Sequence, residues 1–136
     1  MKCKIVIMLM FVMLFMTGCS SSYESKLFTG DNVDNKLTVF QEFEKHLNEK
    51  GLSYEKVTII AELVGAKQGI RYKLTDMSVE IYRFDETSAE YIEANNTQSL
   101  QLDGFGAIEA VVKNGYAINS DNSDFVAIFE KIVQNR

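Results

Sequence analysis

The 136-residue chain has no proline, so nothing in it stops a helix or strand by ring chemistry alone. It has only two cysteines, Cys3 and Cys19, both near its start. Residues 20–136 therefore hold no thiol for a disulfide, a nucleophile or a zinc cluster. There is one histidine, His46, with no second ligand type at metal-binding spacing. A G-x-S-x-G nucleophile elbow is missing as well. Gly104 and Gly106 form a lone G-x-G that leads into a strand pattern. Phosphate binding needs such glycines to open a helix. These absences remove the usual signatures of catalysis, and no metal or cofactor is expected. The chain also lacks a long hydrophobic run. The apolar stretch over residues 5–16 spans twelve residues, whereas crossing ~30 Å of hydrocarbon takes about 20.

What that stretch does have is the layout of a secretory leader. Lys2 and Lys4 precede it, and the small residues Thr17 and Gly18 follow it. Met16-Thr17-Gly18-Cys19 resembles the lipobox of bacterial lipoproteins. The resemblance covers only the leader and the first mature residue. It implies a diacylglycerol thioether on the Cys19 thiol, cleavage before Cys19, and acylation of the new amino group. Residues 1–18 would then be a cleaved signal peptide, and the protein would be lipid-anchored on the outer face of the cell membrane. A single acyl chain holds only marginally, whereas two or three make attachment effectively permanent.

Removing residues 1–18 takes away five of the six methionines and two of the fourteen basic residues, but no acid. Twelve basic residues then face nineteen acidic ones, a net charge of −7. A chain of that sign is ill suited to nucleic acid, whose affinity comes from Lys and Arg on phosphates. It also stands off an anionic bilayer, which leaves the membrane contact to the lipid. A basic partner is compatible with this charge, as is a plain role in solubility.

Residues 19–36 are polar after Cys19 and show no apolar period, which predicts a tether. Residues 37–136 suit one small domain. Val39, Phe40, Phe43 and Leu47 predict a helix over 37–50, closed by Gly51. Residues 54–58 read as a short strand, and 59–64 as a helical turn stopped at Gly65. A hairpin with Leu74 opposite Val79 sets Tyr72 against Ile81 and Lys73 against Glu80, leaving Arg83 mismatched opposite Ile70. Thr87-Ser88-Ala89-Glu90 has the form of a capping box, with Tyr91 and Ile92 as anchors of a short helix. Leu100-Gln101-Leu102 reads as a strand, and Asn114-Gly115 as the turn of a second hairpin pairing Lys113 with Tyr116. Phe125, Ile128, Phe129 and Ile132 predict a final helix.

This order implies an α+β fold, in which an antiparallel sheet of four to five strands, built from two hairpins, carries about three helices on one face. If the hairpins join in matching orientation, Tyr82, Phe84, Val111, Tyr116 and Ile118 share the open face beside Arg71, Lys73, Glu80 and Glu109. Aromatics among a few charges suit a recognition surface, so a protein partner in the envelope is expected there. Three function classes follow. The expected one is a tethered binding module. A structural or self-associating envelope protein is the alternative, and an enzyme is the least supported.

Overall fold

The computed structural model describes residues 37–136. Cys19, the lipobox-like residues 16–19 and the expected tether lie outside the described residues.

Helix α1 (Val39–Glu49) begins at Thr38. The Thr38 Oγ1 accepts from the Gln41 amide at 3.2 Å, and the Gln41 Oε1 accepts from the Thr38 amide at 2.8 Å. Two end donors are thereby satisfied at once. Val39, Phe40, Phe43 and Leu47 are its buried residues. At the far end Gly51 takes φ +68°, and the Leu52 amide donates to the Leu47 carbonyl at 3.0 Å. The reversal lays Leu52 against the core.

The chain continues through β1 (Glu55–Thr58), a 3₁₀ turn (Ala61–Val64), β2 (Gln68–Lys73) and β3 (Ser78–Arg83). Next come α2 (Ala89–Thr97), β4 (Ser99–Leu102), β5 (Gly106–Glu109), β6 (Val111–Lys113), β7 (Tyr116–Asn119) and α3 (Ser123–Gln134). Five strands form one antiparallel sheet in the order β1-β2-β3-β7-β6, and β4 and β5 form a separate pair. The fold class is α+β, as the sequence implies.

The first hairpin is shifted by two residues from the expected register. Tyr72 faces Val79, Ile70 faces Ile81 and Arg71 faces Glu80. Leu74 leaves the ladder to close the turn, its amide donating to the Met77 carbonyl at 2.8 Å. A two-residue shift keeps every side chain on its face but improves the partners. Arg83 moves opposite Gln68 instead of Ile70, so a polar pair closes the end of that face and its buried pairs, Ile70–Ile81 and Tyr72–Val79, carry no charge. The second hairpin has the expected register. Asn114 and Gly115, at φ +47° and +77°, make the tight turn that matches strand twist.

Two further boundaries differ. Ser88, not Thr87, caps α2, accepting from the Tyr91 amide at 3.1 Å. The Thr87 hydroxyl donates to Asp85 instead. Tyr91 and Ala94 are the buried anchors of α2, and Ile92 faces outward. The strand that leads into the second hairpin starts only at Val111, because the chain breaks at Ala110 and residues 106–109 pair with β4. Gln98, at φ +50°, stands in for a strand there. Its side chain accepts from the Val112 amide at 2.9 Å and donates to the Val112 carbonyl at 3.2 Å.

The helices do not all lie on one face. The α1 and α3 helices pack on Ile70, Tyr72, Val79, Ile81 and Ile118. The 3₁₀ turn, α2 and the β4–β5 pair cover Tyr82, Val112 and Ala117 on the other face. Because β3, β6 and β7 place apolar residues on both faces, each face needs a cover, and the described residues form three layers.

Candidate functional site

The expected partner surface is divided between the two cores. Ile81 pairs with Ile118, and Tyr82 with Ala117. Val111, Tyr116 and Ile118 therefore lie toward α1 and α3, with the Tyr116 ring 6.2 Å from that of Phe40. Tyr82 and Phe84 are buried in the other core, where Phe84 lies 5.9 Å from Tyr91. The five residues form no common exposed face. The expectation put Tyr82 in phase with Ile118, whereas the β3–β7 pairing is offset by one residue, and such an offset reverses every side chain.

The second layer carries a different surface. Ile60, Leu63, Ile92 and Phe105 are exposed there at 69%, 53%, 52% and 88%. A groove of about 530 Å³ runs between the 3₁₀ turn and the β4–β5 pair. Ile59, Ile60 and Leu63 form one wall, and Leu102 and Ile108 the other. Phe105 is at the tip of the hairpin that supplies this second wall. Isolated exposed apolar residues are ordinary, but a group of them around a groove marks a contact surface.

The floor of the groove is polar and internally satisfied. Arg71 reaches Glu80 Oε1 through Nε at 2.7 Å and Nη2 at 2.5 Å. The Tyr82 hydroxyl donates to Glu80 Oε2 at 2.6 Å. Burial, followed by this hydrogen bond to a carboxylate, raises the Tyr82 phenol well above the usual range. With both Glu80 oxygens engaged and Arg71 neutralised, the floor positions the groove and offers no free base. A groove of this kind suits binding.

Beside it, a recess of about 280 Å³ shares Leu63 and Val64 with the groove and is ringed by Glu62, Glu90, Glu93 and Asp103. Gly65 allows α2 to approach this closely. It takes φ +72°, and a Cβ there would sit 2.4 Å from Glu90 Cγ. Among the described residues no group of three or more His, Cys, Asp or Glu is placed to hold a metal ion. His46 sits half-exposed on α1, its Nδ1 3.4 Å from Glu49. A larger cleft of about 720 Å³ lies near Lys50, Asp76 and Asn122. Of its apolar lining, Leu52, Leu74 and Phe125 belong to the first core, and Met77 is exposed at the turn between β2 and β3.

A signal for the groove layer exists in the sequence. From Phe84 to Val112 there are six acids and no Lys, Arg or His. Net charge taken over the whole chain conceals this run. Comparison of the chain with protein-family models, curated proteins and solved structures found no match. Among the described residues no helix is long and apolar enough to cross a membrane.

Proposed function

We propose that the protein is a membrane-anchored extracytoplasmic lipoprotein whose small acidic domain acts as a binding module through the groove between the 3₁₀ turn and the β4–β5 pair. The leader and Met16-Thr17-Gly18-Cys19 support the anchor. The observation that carries the binding role is that Ile60 and Leu63, both more than half exposed, line an apolar-walled groove whose other wall is the hairpin tipped by the exposed Phe105. Folding alone gives no reason to leave large apolar side chains together in water.

Mass spectrometry of the mature N-terminus tests the anchor. A diacylated Cys19 is expected, and an unmodified Cys19 overturns it. The binding role is tested in native membranes by photo-crosslinking from position 63, with position 131 on α3 as the control. A discrete adduct with another envelope protein, formed only from position 63, is the expected result. Adducts with itself alone would favour a self-associating structural protein. No adduct from either position overturns the module.

A further inference from the structure

We infer that the groove takes a cationic peptide segment with apolar side chains, supplied by another protein; this rests on the binding role proposed above. The charge of the domain resides in one segment. Residues 37–83 hold seven basic and seven acidic residues, and residues 113–136 hold three of each. Residues 84–112 hold six acids and no base. The entire −6 of the folded part therefore arises in the segment that builds α2, β4 and β5. Charge gathered on one layer focuses the field there and attracts the opposite sign.

Among the described ion pairs a cation meets only one of these six acids, Asp85. Arg71 is held by Glu80, and Lys67 by Asp85 at 2.7 Å. Lys67 and Thr87 in turn hold the Asp85 carboxyl well below the usual range. Glu62, Glu90, Glu93 and Asp103 make no ion pair among the described residues, yet they ring the recess that continues the groove past Leu63 and Val64. An occupant that buries apolar side chains between Ile60 and Ile108 therefore meets carboxylates at one end. Lys or Arg beside those apolar residues would be paired there, and acids would be repelled.

The same charge argues against the other occupants. The tether over residues 20–36 carries three acids and two lysines, so its own sign is wrong. A second copy would bring one acidic layer against another. A segment fits the site better than a folded surface does, since the opening is a slot between a short turn and a two-stranded wall.

The experiment uses the full chain in phosphatidylcholine nanodiscs, with empty discs subtracted and binding read by fluorescence anisotropy. Three short labelled peptides are compared, namely an amphipathic Lys/Leu peptide, its Glu/Leu counterpart, and a Lys/Ser peptide of equal charge. The Lys/Leu peptide is expected to bind roughly tenfold or more tightly than either control. Combining Glu62→Gln, Glu90→Gln and Glu93→Gln is expected to weaken it by about tenfold and to flatten its salt dependence. Ile60→Ser with Leu63→Ser is expected to weaken it at every salt concentration.

Equal binding of the Glu/Leu peptide, or indifference to the glutamine variants, overturns the cationic partner. If the serine variants still weaken binding in that case, the groove as a binding site survives. Indifference to both sets of variants removes both readings. Loss of all peptide binding, together with a Leu63→Cys chain that crosslinks to itself, assigns the groove to a second copy.

Discussion

On one face of the sheet α1 and α3 press Phe43, Leu47, Phe129 and Val133 onto Tyr72, Val79 and Ile81, all fully buried. On the other face the cover is thinner and its residues smaller. Ala61, Ala66, Ala94, Ala110 and Ala117 make up much of that core. Polar contacts also help to hold this layer: Gln98 on Val112, the Tyr91 hydroxyl accepting from the Gly115 amide at 3.0 Å, and the Arg71–Glu80–Tyr82 set. The first face buries large side chains and leaves only Leu37 and Met77, at its ends, exposed by about two-fifths. The second leaves Ile60, Leu63 and Phe105 outside. Folding free energy is concentrated on the first face, and available binding surface on the second.

The largest expected effect breaks the strong face. Phe129→Ala empties a fully buried site and is expected to cost about 3–5 kcal/mol in denaturant unfolding. An alkaline titration addresses both faces at once, because each has a buried tyrosine hydrogen-bonded to a glutamate, Tyr72 to Glu44 and Tyr82 to Glu80. Burial, then Glu44, raises the Tyr72 phenol, as burial, then Glu80, raises that of Tyr82. A phenol raised on folding contributes stability that is fully present below its unfolded value of about 10 and is lost as the pH rises beyond it. Stability should therefore fall above about pH 10, with tyrosinate absorbance from these two residues appearing only on unfolding.

A smaller effect should be confined to the second layer. Gly65→Ala meets both a positive φ and Glu90, and is expected to cost about 1–3 kcal/mol. Faster amide exchange should appear in the 3₁₀ turn and α2 before α1 or α3. The smallest effect sharpens the contrast. Ile60→Ser with Leu63→Ser should change the unfolding free energy by no more than about 0.5 kcal/mol, since these side chains are already in water. A large loss there would make them part of the fold and remove them as a contact surface.

Much of the first face was legible in the sequence, because its signals are local. The period of Val39, Phe40, Phe43 and Leu47 defines α1, Gly51 ends it, and Asn114-Gly115 sets the second hairpin. The candidate site was not legible in the same way. Alternation shows which residues of a strand share a face, but it cannot phase one hairpin against another across β3 and β7. That one-residue offset moved Tyr82 and Phe84 away from Val111, Tyr116 and Ile118, and the expected surface was divided between two separate cores. The groove joins a turn near residue 60 to strands near residues 102 and 108, so no local window contains it. Only the run of acids over 84–112 hinted at it.

By itself the sequence determined most element types, the α+β class and the acidic balance, since periodicity, capping and composition act over a few residues. Tertiary structure decided which face each strand presents, where the chain breaks at Ala110, and that α2 with β4–β5 covers a second face. Those outcomes depend on pairings between residues far apart in the chain. They are settled by which arrangement buries both apolar faces while satisfying Glu80, Arg71 and the freed backbone groups.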